Sequence, residues 1–111
     1  MNLEYLFDRL LGKAPKDAKR HPDWNKFRKD VLDGACCAVC GGTKKLQLHH
    51  KIPFHLAPEL ELERDNVIPL CMAGRFGIKC HLLIGHLGNW QRFNTEVETD
   101  SVVWNKRLES K

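Results

Sequence analysis

No stretch of the 111 residues approaches the roughly 18 uncharged apolar residues that a membrane-spanning helix requires, so a transmembrane segment is excluded. Internal repeats and low-complexity tracts are missing as well, which removes solenoids and disordered linkers from consideration. The length leaves no room for a second large core, and folding should bury about two-thirds of the accessible surface. With 42% hydrophobic and 29% charged residues and a mean hydropathy of −0.43, the composition is that of a soluble globular chain.

Acidic residues are scarce where they matter most. Residues 35–58 hold Lys44, Lys45 and Lys51 with no carboxylate, and residues 67–92 hold Arg75, Lys79 and Arg92, again with none. The net charge of +4 and pI of about 8.9 suit a polyanionic partner, a general pointer that many proteins share. A secretory cleavage site is also lacking. Glu4, Asp8 and Arg9 interrupt the apolar start, and Leu3, Leu6, Phe7, Leu10 and Leu11 recur at helical spacing. The reading is an amphipathic helix ending near Gly12, in a cytoplasmic protein where disulfides are rare.

Residues 13–21 are polar and contain Pro15, so residues 1–21 read as a helix and linker, and 22–111 as the domain. Trp24, Phe27, Arg28, Val31 and Leu32 share one helical face, with Pro22 or Asp23 in the first turn and Gly34 as a stop. Leu46–Phe54 reads as a strand ended by Pro53, and Val67–Leu70 as a second closed by Pro69. The intervening Leu/Glu run, 55–65, reads as loop. Cys80–Leu87 predicts a short helix broken at Gly85 or Gly88. Val97–Leu108 predicts a final helix capped near Asp100 or Ser101, with Val97, Trp104 and Leu108 inward.

Five cysteines stand at 36, 37, 40, 71 and 80. Cys37 and Cys40 form C-x-x-C beside Gly41 and Gly42, where the chain can turn tightly enough for both sulfurs to face one ion. Cys71 and Cys80 supply a second pair, so four thiolates about 2.3 Å from a structural Zn²⁺ complete a tetrahedron. A pairing of Cys36 with Cys40, a set of unligated buried thiols, and two disulfides in an oxidising compartment are the alternatives. The second pair is widely spaced, with Met72–Lys79 between its members.

Four of the six histidines lie beside these cysteines: His49, His50, His81 and His86, whereas His21 and His55 read as ordinary loop residues. The segments C-A-V-C at 37–40, L-H-H-K-I at 48–52, D-N-V-I-P-L-C at 65–71 and C-H at 80–81 together resemble the HNH endonuclease family, the ββα-metal nucleases. The resemblance covers residues 35–88. It implies an α+β fold, a small single domain with a ββα-metal (His-Me finger) core and flanking N- and C-terminal helices. It further implies that His49 binds a catalytic divalent metal (Mg²⁺, Mn²⁺, Ni²⁺ or Zn²⁺), with His81 as a further ligand. His50 is then the general base, and Asn66 orients the base-bearing segment or assists the metal.

Strand geometry agrees with that division, because adjacent side chains point to opposite faces and do not readily share an ion. A neutral imidazole, with an ordinary pKa near 6.5, suits a base at neutral pH. His86 departs from the pattern of related colicin-type nucleases, whose second helical histidine follows four residues after the first. It stands five residues after His81, about 140° round an ideal helix, so it joins the ligands only if Gly85 distorts the turn.

The implied activity is metal-dependent hydrolysis of DNA phosphodiesters, leaving 3′-hydroxyl and 5′-phosphate ends. Lys44, Lys45, Lys51, Arg75, Lys79 and Arg92 are the candidate phosphate contacts, on double-stranded DNA with weak sequence preference. The alternatives are a catalytically inactive, zinc-stabilised nucleic-acid-binding module and an adaptor that docks a partner through its terminal helices.

Overall fold

Helix α1 spans Trp24–Leu32 and is followed by strand β1 (Leu46–His50), strand β2 (Val67–Cys71), one wide helical turn at His81–Gly85 and helix α2 (Val97–Glu109). The computed structural model describes residues 19–109, and the amphipathic helix expected over the first twelve residues lies outside them. The described elements form one small α+β domain, and none of their helices is long and apolar enough to cross a membrane.

The two strands pair antiparallel, with Leu48 opposite Pro69 and His49 opposite Ile68. The ladder explains two departures from the sequence reading. Lys45 O accepts from Met72 N at one end and Lys51 N donates to Asn66 O at the other. Because antiparallel rungs alternate, Leu48 and Pro69 fall in a pair that exchanges no backbone bonds. Proline at that place removes no rung, so Pro69 sits inside β2 instead of closing it. Its carbonyl accepts from Ala38 N at 2.9 Å, tying the first cysteine loop to the sheet.

β1 ends at His50, four residues before Phe54. Asn66, not Pro53, stops it. The buried Asn66 side chain accepts from Ile52 N at 2.9 Å and donates to Ile52 O at 3.2 Å and Leu60 O at 3.3 Å, so its amide replaces the next rung of the ladder. The link from β1 to β2 contains two short 3₁₀ turns, at Pro58–Leu60 and Arg64–Asn66.

α1 has no fully buried residue. It lies on β1 through Trp24, whose ring stacks on His50 at 4.8 Å between centroids, and Gly34 beyond its end adopts φ +71°, consistent with a stop. Buried Glu61 anchors its approach, taking His21 N at 2.8 Å and the Arg20 guanidinium at 3.0 Å.

α2 begins earlier than a cap at Asp100 or Ser101 allows. Buried Asn94 organises its start: Oδ1 accepts from Glu96 N, while Nδ2 donates to Ile84 O and Asp100 Oδ2. Val97 and Ser101 are buried, Asn105 donates to Val39 O at 3.1 Å, and Leu108 packs on the core. Trp104, expected inward, is 44% exposed. It lies about 60° round the helix from Ser101, at the edge of this seam.

The core consists of Cys37, Val39, Cys40, Ile68, Leu70, Cys71, Cys80 and Val97. Removing the Asn66 side chain leaves buried backbone groups of Ile52 and Leu60 unpaired, and each such group costs about 1–3 kcal/mol. Asn66→Ala is therefore expected to destabilise the zinc-loaded protein by about 3 kcal/mol in urea denaturation, and a midpoint equal to wild type would contradict the clamp.

Candidate metal centres and the histidine cleft

Cys37, Cys40, Cys71 and Cys80 are all buried, and their sulfurs lie within 4.8 Å of one another. Cys40 Sγ and Cys71 Sγ are 3.5 Å apart, close to the edge of about 3.8 Å of a tetrahedron with 2.3 Å arms. All five cysteines are free thiols, and Cys36 is exposed, so the C-x-x-C pair at 37 and 40 provides the first two sulfurs. The wide second pair works because residues 72–79 fold back over the cluster. Ile78 O accepts from Cys71 Sγ, and a Cβ on Gly74 would collide with the sulfurs of Cys71 and Cys40.

Crowded thiols share protons unevenly. The hydrogen bond from Cys80 brings the Cys37 thiol down to about 4, against the raising effect of burial, while the same contact and burial push Cys80 up. Burial also raises Cys71. Four buried sulfurs with no cationic side chain among them are compatible with a structural metal such as zinc, which would stabilise the thiolates together.

The second cluster is made of nitrogen. The ring centroids of His49, His81 and His86 lie 4.8 to 4.9 Å apart in a nearly equilateral triangle. The turn at His81–Gly85 is what admits His86. His86 N bonds to His81 O at 3.1 Å, a five-residue closure wider than an α-turn, which brings His86 back over His81 instead of about 140° away. Gly85 is buried beneath His49: an added Cβ would stand 3.1 Å from two atoms of that ring and 3.1 Å from Leu70.

The surroundings orient two of the three rings, His81 and His86, alike. Gln47 stands two residues before His49 on the same strand face, and its Oε1 lies 2.8 Å from His81 Nδ1. Arg92 O lies 2.7 Å from His86 Nδ1, and a carbonyl only accepts, so that nitrogen carries a proton. In the neutral rings the lone pairs then belong to Nε2, and those of His81 and His86 face each other at 3.2 Å. His49 Nε2 is buried with no hydrogen-bond partner. Burial, reinforced by the neighbouring imidazoles, lowers His49 to about 2 and His81 to about 4. Three convergent lone pairs, one of them orphaned, fit a cation, with the remaining ring nitrogens of His81 and His86 oriented by outer partners.

His50 points to the other face of β1. Its Nε2 lies 3.0 Å from Glu61 O, so that nitrogen donates and Nδ1 carries the lone pair. Burial lowers its pKa, partly offset by this bond. His50 and the three clustered histidines meet in one cleft of about 360 Å³, lined also by Arg20, Leu48, Pro53, Phe54 and His55. Asn66 does not line it; its amide is wholly engaged with backbone, so it positions the chain after β1 and lies away from the chemistry.

The six expected phosphate contacts distribute differently. None lines the histidine cleft. Lys44 and Arg75 share a second depression of about 240 Å³ with Gly41, Gly42, Thr43 and Gly74, beside the cysteines. Lys51 is half-buried and pairs with Glu98 at 3.0 Å. Lys45 and Arg92 contribute carbonyls, to Met72 N and to His86, and Lys79 O accepts from Leu83 N.

Sequence reasoning missed Arg20, Gln47, Glu61 and Trp90, whose exposed indole lies 4.8 Å from His86 and 5.2 Å from His81. Only Gln47 had a readable signal, its period-two spacing from His49. His55, read as a loop residue, lies on the cleft wall.

The two clusters should be separable. Protein loaded with zinc or cobalt is expected to bind one ion per cluster, and His86→Ala to lose only the ion at the histidines with its far-UV circular dichroism intact. Cys80→Ser should instead abolish the fold, since a structural zinc contributes about 10–16 kcal/mol. Equal metal content in His86→Ala and wild type, by elemental analysis, would contradict this. No protein-family model, curated protein or solved structure matches this chain.

Proposed function

We propose that the chain is a metal-dependent DNA endonuclease with a ββα-metal core of the HNH type, in which His50 is the general base. The observation that carries this reading is the pairing of two histidine roles across one strand. His49 turns its orphaned Nε2 into a three-imidazole cluster, while His50 lines the same cleft with its tautomer fixed by Glu61 O.

In this reading His49, His81 and His86 hold the catalytic ion. When bound, it supplies Lewis-acid stabilisation of charge on the phosphoryl and leaving oxygens. Imidazole donors suit Zn²⁺ or Ni²⁺ better than Mg²⁺ or Mn²⁺, which prefer carboxylate, carbonyl and water oxygens. The protein's own contribution is proton movement and orientation. His50 Nδ1 takes a proton from water, the water oxygen bonds to phosphorus, and the P–O3′ bond breaks; the departing 3′ oxygen takes a proton from solvent, leaving a 3′-hydroxyl and a 5′-phosphate. Stacking on Trp24 and the bond to Glu61 O hold the ring in place. The cysteine cluster takes no part in the step and secures the framework.

The test is incubation of supercoiled plasmid with Mg²⁺, Mn²⁺, Ni²⁺ or Zn²⁺, with and without EDTA. Nicked or linear product is expected with Ni²⁺ or Zn²⁺ and none with the chelator. His50→Ala is expected to lower the cleavage rate by about 10² to 10⁴ while its circular dichroism stays unchanged. Cutting by His50→Ala at the wild-type rate would remove its assigned role; binding of DNA with no cutting under any ion would leave the inactive zinc-stabilised module as the reading.

A further inference from the structure

Among the residues lining the histidine cleft, Arg20 alone carries a permanent positive charge, and no carboxylate lines the cleft beside it. It comes from the segment before α1, outside every motif in the sequence. Its guanidinium lies 4.4 Å from the Phe54 ring centre and 5.1 Å from that of Trp24, and it donates to Glu61 Oε2 at 3.0 Å. Among the described residues this is its one hydrogen bond, which uses one of five guanidinium N–H donors. The Arg20 side chain is 51% exposed, whereas that of Glu61 is 3% exposed.

These contacts make a mounted cation. The rings and the buried carboxylate limit where the guanidinium can go, so little further ordering is needed when a ligand arrives. Its remaining donors form a planar fork suited to two oxygens of one phosphate. Glu61 also ties this cation to the base, since its carboxylate holds Arg20 while its carbonyl holds His50 Nε2.

We propose that Arg20 binds a backbone phosphate of the nucleic acid in the cleft, on the wall formed with Phe54. The inference rests on reading the cleft as a phosphodiester site, and the test separates the two. Binding of a short labelled DNA duplex is followed by fluorescence anisotropy over a range of KCl concentrations, with zinc-loaded protein and the duplex checked afterwards for intactness. Arg20→Gln alone strands the Glu61 carboxylate, so the informative variant is Arg20→Gln/Glu61→Gln, which removes both charges of the pair.

A phosphate contact predicts that the double variant binds at least about tenfold more weakly and that its slope of log affinity against log salt falls by about 0.9. Arg20→Lys, which keeps the charge, should keep the slope. A merely structural pair would leave the slope of the double variant at the wild-type value. That result, or failure of the wild-type protein to bind the duplex, overturns the inference. Should the slope fall as stated while no ion supports cutting, the phosphate site stands and the nuclease reading fails; should the protein cut DNA with the slope unmoved, the nuclease reading stands and Arg20 is only a brace.

Discussion

Four of the eight residues in the main buried cluster are cysteines, and their convergence is the constraint on which the rest of the domain depends. An apolar core this small buries too little surface to offset the ordering entropy of a chain with long irregular segments. Four sulfurs gathered within 4.8 Å form a donor set that fits a single ion. Joint coordination of a metal such as zinc would supply the missing stabilisation, about 10–16 kcal/mol against a net stability of about 5–15 kcal/mol for an ordinary domain.

The same cluster sets the geometry of the histidines. Cys71 closes β2, and Cys80 immediately precedes the wide turn that carries His81 and His86. Fixing both sulfurs at one point pins that turn against the sheet, where His49 stands opposite Ile68. The absence of a side chain at Gly85 then lets the turn approach the His49 ring closely. Structural and candidate catalytic centres are thus coupled through the backbone while remaining chemically distinct, one lined with sulfur and the other with nitrogen.

On the opposite face of β1 the organisation depends on Glu61. It stands in the alternating Leu/Glu run that reads as loop, yet it is buried and contacts Arg20, His21 and His50 by three different atoms. A charged residue is buried in this way when its partners satisfy it. Here those partners come from the approach to α1 and from β1, so Glu61 joins the segment before the first helix to the strand bearing His50. α1, with no fully buried residue of its own, lies at the edge of the core and supports the cleft only indirectly, through the Trp24 ring stacked on His50.

Legibility in the sequence followed the range of the interactions. The C-x-x-C pair, the adjacent histidines, α1 and the positions of both strands were readable, because each depends on local spacing: period two, period 3.6, or a tight turn between ligands. The membership of His86 was not, since it depends on a five-residue turn held between the cysteine cluster and His49. Nor was the place of Pro69, which depends on ladder phase, nor the outward Trp104, which depends on where α2 meets the core. Arg20 and Glu61 lie 41 residues apart, and no local pattern links them. The amino-acid order by itself determined which donor atoms exist and which neighbours along the chain share a face; only the tertiary structure decided which of them meet, because convergence of distant side chains is a property of packing and register, not of spacing.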